Sequence, residues 1–169
     1  MAIPTWTPGQ ILTASDVNTW FVALNVTKGA DQSIANNATP ANDSVLVQAL
    51  SANTKYTFTC VIIYSGGTLN AADLKFQFGI PTSATWKGIA AFVGTGGGGI
   101  SGAYVDQTTS PASQAGTNGV GFKRAVHVQG VVTVAGTAGN FSFQWSQGTS
   151  NATATIVHAD SYFSLWRIA

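Results

Sequence analysis

Glutamate is absent from this sequence, and every acid is an aspartate: Asp16, Asp31, Asp43, Asp73, Asp106 and Asp160. Seven Lys and Arg stand against them, for a net charge of +1, and charged residues make up 8% of the 169. Soluble domains usually carry about 25%. Seven scattered cations form no basic stripe for neutralising phosphates, which excludes nucleic acid as a partner. Glu-, Lys- and Leu-rich heptads are missing, which excludes a coiled coil. A single cysteine, Cys60, excludes a disulfide framework. No apolar run approaches the ~18 residues of a spanning helix, so no membrane partner is expected. The N-terminus also lacks the basic-then-apolar order of a signal peptide.

What is present is Thr, Ser, Ala and 19 Gly, with 45% of the chain apolar, which is too much for a disordered segment. The length suits one domain with a small appendage. A lone monomer is normally kept soluble by a mixed charged surface. A surface this poor in charge is expected where identical copies cover part of it.

Residues 1–12 hold Pro4 and Pro8, which disfavour helix before them, and read as an extended arm. Residues 13–25 read as the one helix. Thr13 and Asp16 have capping-box spacing, and Leu12 and Val17 have that of a hydrophobic staple. Val17, Trp20, Phe21 and Leu24 fall at i, i+3, i+4 and i+7, which makes one apolar face. Residues 26–43 show no periodicity and read as a linker.

From residue 44 the pattern is that of strands. In 54–64, Tyr56, Phe58, Cys60, Ile62 and Tyr64 share a face; in 73–80, Leu74, Phe76, Phe78 and Ile80 do. Val126, Val128, Val132 and Val134 line another strand, and Phe141, Phe143 and Trp145 a third. The last strand, 161–168, is apolar on both faces. It reads as a central strand or as one whose outer face meets another subunit, with Phe163, Leu165 and Trp166 as interface candidates. Eight or nine strands without intervening helices imply an all-β, antiparallel, jelly-roll-like sandwich at 44–169, preceded by the arm and one short helix.

Catalytic patterns are lacking. The glycine run 94–102 is not followed by the Gly-Lys-Ser/Thr and helix of a phosphate loop, and reads as a turn. His127 and His158 have no metal-ligand spacing. Cys60 lies among apolar residues, as a buried thiol does. Paired carboxylates would have to be drawn from aspartates in turn-like segments. No metal, cofactor or enzymatic activity is expected. Trp86, Trp145, Tyr104 and Tyr162 form a candidate sugar-stacking set, with sandwich core as the commoner role.

The stretch Trp6-Thr7-Pro8-Gly9-Gln10-Ile11-Leu12-Thr13-Ala14-Ser15-Asp16-Val17-Asn18 resembles the W-x-x-G-[EQ]-x-[LV]-T-A-[AS]-[DE]-[LV]-N opening of small virion proteins of tailed bacteriophages. Ala52-Asn53-Thr54-Lys55-Tyr56, Ala72-Asp73-Leu74-Lys75-Phe76, Gln144-Trp145-Ser146-Gln147 and Ser161-Tyr162-Phe163-Ser164-Leu165-Trp166-Arg167-Ile168 resemble strands of their β domain, with least support across 82–135. The resemblance implies a homotrimeric jelly-roll on the virion surface, made in the host cytoplasm and attached through its N-terminal segment. The short linker, with no repeat-rich shaft, favours a capsid decoration protein docked on the major capsid protein. The alternative is a tail-tip or fibre adhesin, a minor tail protein that binds host cell-wall glycans. Trp6, Ile11, Leu12, Val17, Trp20, Phe21 and Leu24 are the expected virion or trimer contacts.

Overall fold

The computed structural model describes residues 7–20, 23–67, 72–95, 100–107 and 113–168. In chain order they form α1 (Ala14–Trp20), β1 (Leu24–Thr27), β2 (Gln32–Ile34), β3 (Ala41–Leu50) and β4 (Thr54–Ser65). Next come β5 (Leu74–Gly79), β6 (Thr85–Val93), β7 (Ile100–Gln107) and β8 (Ser113–Ala115). The chain ends with β9 (Arg124–Val134), β10 (Gly139–Gln147), β11 (Thr155–Val157) and β12 (Tyr162–Arg167).

Two antiparallel sheets make a sandwich. The larger runs β1-β12-β4-β9-β6-β7, with β11 and β2 continuing from the far end of β4; the smaller runs β3-β10-β5-β8. Alternation along β4 and β9 explains the layering: even-numbered residues from Tyr56 to Tyr64 and from Val126 to Val134 point inward and are buried, apart from the half-buried Gly130. Phe58 sits at the centre, its ring 5.0–6.0 Å from those of Phe78, Trp86, Phe141 and Phe163, all edge-on. Such pairs add about 0.5–1.5 kcal/mol each beyond the area they bury.

Three expectations change. The linker 26–43 belongs to the sandwich: β1 pairs with β12 and β2 with β11. Lys28 and Asp43 are buried as an ion pair, with Nζ 2.9 Å from Oδ2. Strands of three or four residues are too short to show alternation, and their partners lie more than 120 positions away in sequence. The described helix is Ala14–Trp20 rather than 13–25, and Leu24 pairs with Leu165 on β1 instead of extending the helical face. β8 is a further short strand, so the strands among the described residues number twelve rather than eight or nine.

Candidate functional site

The N-terminal arm is locally well formed. The Thr13 N–H donates to Asp16 Oδ2 at 3.0 Å and the Asp16 N–H to Thr13 Oγ1 at 3.2 Å, a reciprocal capping box. These bonds from Thr13 hold the Asp16 carboxyl below its usual pKa. Yet its apolar side chains are uncovered: Ile11 is 85%, Leu12 48% and Val17 39% exposed. Leu12 and Val17 therefore do not seclude one another as a staple. Trp20 closes α1, while Trp6 and Phe21 lie outside the described residues. Leu24 is on β1, packed against the core.

The second feature is the outer face of the larger sheet. Phe163 and Leu165 point inward and are fully buried in the core of their own chain, so they are not available to a partner. Tyr162 and Trp166 alternate with them on the outer face, 37% and 44% exposed. Of the three interface candidates, Trp166 alone faces outward.

Hollows among the described residues mark this face. A groove of about 490 Å³ runs over β1 and β12 between Asn25, Thr27, Thr59, Ser164, Tyr162 and Trp166. A second, of about 340 Å³, lies over β4, β9 and β6 between Thr57, Val131, Gln129 and Ile89. Its floor is the pair Gly88 and Gly130, which stand opposite one another in the ladder. A third, of about 180 Å³, is lined by Ala91, Val93 and Ala125. The cross-strand rows Tyr162–Val61–His127–Ala91 and Ser164–Thr59–Gln129–Ile89 carry no carboxylate and no Lys or Arg.

The opposite face of the sandwich differs. There Gln77 Nε2 donates to Gln144 Oε1 at 2.7 Å, and Gln144 Nε2 to Asn42 Oδ1 at 2.9 Å. Ser142 Oγ donates to the same Asn42 oxygen at 2.8 Å. These side chains satisfy one another and remain compatible with water.

One polar constellation escaped the sequence reading. His158 places Nε2 2.8 Å from Ser65 Oγ and Nδ1 2.9 Å from Asp31 Oδ2. Positions 31, 65 and 158 show no common spacing; only the pairing of β2 and β4 with β11 brings them together. The order Ser–His–Asp is that of a hydrolytic triad, but Ser65 is 1% exposed, and a nucleophile must reach its substrate. The Ala159 N–H bonds to Asp31 Oδ1 at 2.8 Å and, with His158, holds the Asp31 carboxyl below the usual range. The cluster pins the β11–β12 turn to the end of β4 and to the loop before β2.

Among the described residues, no group of three His, Cys, Asp or Glu could hold a metal ion, and no helix is long and apolar enough to cross a membrane. Burial pushes the Cys60 thiol far up, so it stays protonated. Trp86 and Trp145 are core residues, 2% and 0% exposed, and Tyr104 lies on β7. Of the stacking set, Tyr162 is on the outer face.

No protein-family model and no curated protein matches the chain. Among solved structures it is similar to the tripod (BppUct-A-L) from the baseplate of bacteriophage Tuc2009, at 8% identity and TM-score 0.35, covering 99% of this chain and 75% of that one. It is also similar to the infectious bursal disease virus Gx strain, at 9% identity and TM-score 0.22 over 87% of this chain and 41% of that one. The VP2 subviral particle of the same virus aligns at 10% identity and TM-score 0.21, over 86% and 40% of the two chains. At these scores the functional reading rests on the chain's own residues.

Proposed function

We propose that this protein is a structural component of a tailed-phage virion: a homotrimeric decoration protein of the head surface, attached through its N-terminal arm to the major capsid protein. One observation carries the reading. An arm that leads into a helix with a complete capping box exposes Ile11, Leu12 and Val17 outside a sandwich that has already buried its own core. An isolated helix this short is unstable in water and gains its stability from docking. Full burial of three such side chains contributes about 1.5–3 kcal/mol each. Three arms on one trimer multiply that attachment by avidity. The resemblance of residues 6–18 to phage virion openings supports the same assignment. The protein works by binding and not by catalysis, at the virion surface, and takes no cofactor, nucleic acid or membrane.

The test is incorporation into particles. Deleting residues 1–20 spares β1, which starts at Leu24, and should leave a sandwich with an unchanged melting temperature that no longer joins particles. The full-length double variant Ile11→Asp/Val17→Asp should behave alike. Normal incorporation of either would overturn the assignment. A tail-tip or fibre adhesin is the second reading, favoured by the neutral, aromatic-edged groove over β12. Cryo-EM of the particle separates the two by the position of the density, on capsomers or on the tail.

A further inference from the structure

Lys28 follows β1 in the larger sheet and Asp43 lies on β3 in the smaller, with side chains 1% and 0% exposed. The Lys28 backbone is fixed on both sides: its N–H donates to the Ser161 carbonyl oxygen at 2.8 Å, and its carbonyl accepts from the Asp160 N–H at 2.9 Å. Its Nζ donates to Asp43 Oδ1 at 3.0 Å, to Oδ2 at 2.9 Å and to Gln32 Oε1 at 3.2 Å. With both oxygens so near, the fixed shape of a carboxylate puts Nζ on the order of 3 Å from Cγ, the separation of atoms poised to react.

The carboxyl group is also ringed by donors. The Val45 and Leu46 N–H groups point at Oδ1 from 2.9 and 3.0 Å. Two backbone donors on one oxygen are what hold the oxyanion of a tetrahedral intermediate. The Trp145 Nε1–H donates to Oδ2 at 3.1 Å. These donors draw electron density from Cγ and make it a better electrophile. A lysine amine kept from water is a nucleophile once it has given up its proton.

We propose that Lys28 and Asp43 condense into a side-chain amide, a covalent cross-link between the two sheets that the folded chain forms by itself. The ion pair is the arrangement of the reactants. A proton passes from Nζ to Oδ2 and leaves an amine beside a carboxylic acid, a neutral pair that a site without water tolerates better than separated charges. The Nζ lone pair then bonds to Cγ, and the carbonyl electrons move onto Oδ1, against the Val45 and Leu46 N–H groups. Nζ gives a second proton to Oδ2, the Cγ–Oδ2 bond breaks, and Oδ2 leaves as water. The carbonyl reforms at Oδ1, and the third proton stays as the amide N–H. Nothing is oxidised or reduced, and no further reactant enters. The amide closes a loop over 28–43 and so constrains the unfolded chain, as a disulfide does. It also bears on attachment: a load on the arm passes into β1, an edge strand of four residues, and a bond at Lys28 stops that strand from peeling away. This consequence rests on the arm being the anchor; the bond itself does not.

The experiment is mass spectrometry of the full chain, folded at neutral pH until its mass no longer changes and then denatured. Wild type should weigh one water less than its sequence. Trypsin normally releases residues 1–28 and 29–55, since Lys28 and Lys55 are the first two cationic residues. The cross-linked chain should instead give one peptide, 1–55, uncut at Lys28 and lighter by one water, with fragmentation mapping the loss to a link between 28 and 43. Lys28→Met, which has no amine to give, should run at its full sequence mass. A wild type at full mass and cut at Lys28 overturns the inference. So does a missing water with Lys28 still cut, which marks a cyclised aspartate, or a missing water that persists in Lys28→Met. The wild-type peptide map needs no variant to fold, and none of these outcomes depends on whether the chain joins particles.

Discussion

Replacing Asp43 by Asn is the most informative perturbation of the sandwich. Lys28 follows β1 in one sheet and Asp43 lies on β3 in the other, so their ion pair joins the two layers. Their side chains are 1% and 0% exposed. Asp43 Oδ1 accepts from Lys28 Nζ at 3.0 Å and from the Val45 and Leu46 N–H groups at 2.9 and 3.0 Å. Oδ2 accepts from Lys28 Nζ at 2.9 Å and from Trp145 Nε1 at 3.1 Å. Asn keeps the shape and, through Oδ1, the two backbone bonds. Its NH₂ group turns a donor toward two donors and leaves the Lys28 ammonium buried without a counter-charge. Breaking a buried pair from one side costs about 3–5 kcal/mol, a large part of the ~5–15 kcal/mol total. At about 2–4 °C per kcal/mol for a chain of this size, the melting temperature should fall by about 6–20 °C. Denaturation must be followed at one fixed protein concentration, since assembly adds to apparent stability. Lys28→Met removes the other charge, and the double variant removes both, so the double should cost less than the summed singles by about 0.5–3 kcal/mol. A loss below about 0.5 kcal/mol for Asp43→Asn, typical of a surface change, or strictly additive singles, would refute the reasoning.

Two further outcomes follow from the same geometry. Asp31 is held below its ordinary pKa of 3.8 by the Ala159 N–H and by His158, so its stabilisation is fully present above that value and disappears as pH falls through the lower folded one. From about pH 5 downward the melting-temperature gap between wild type and Asp31→Asn should therefore narrow and close in stronger acid; a gap that widened over that range would contradict the assignment. A Cβ at Gly130 would run into the backbone of β6, at the Lys87 carbonyl oxygen and, 2.9 Å away, Gly88 Cα. Gly130→Ala should force β6 and β9 apart, at a cost of about 1–3 kcal/mol or more in urea denaturation, and wild-type stability in that variant would show that the strands lie further apart.

Much of the sandwich is legible in the sequence because strand alternation is a local property. Tyr56 to Tyr64, Leu74 to Phe78 and Phe141 to Trp145 declare their inward faces without reference to any partner. The Thr13–Asp16 cap is equally local, with three residues separating donor from acceptor. The functional surface is less legible. Sequence marks the last strand as apolar on both faces; the sheets decide which face is which, and they assign Phe163 and Leu165 to the core and Tyr162 and Trp166 to the outside. Leu24 falls at a helical spacing but pairs with Leu165, because a partner strand outweighs the weak preference of one short helix.

The sequence by itself determined the class: a charge-poor, antiparallel β protein with an apolar, capped arm and no catalytic pattern. Only the tertiary structure decided that residues 26–43 belong to the sandwich, that His158 meets Ser65 and Asp31, and that Lys28 and Asp43 close the space between the sheets. Each of these depends on partners far apart in the chain, and a short strand or a single polar residue carries no periodicity from which its partner can be read.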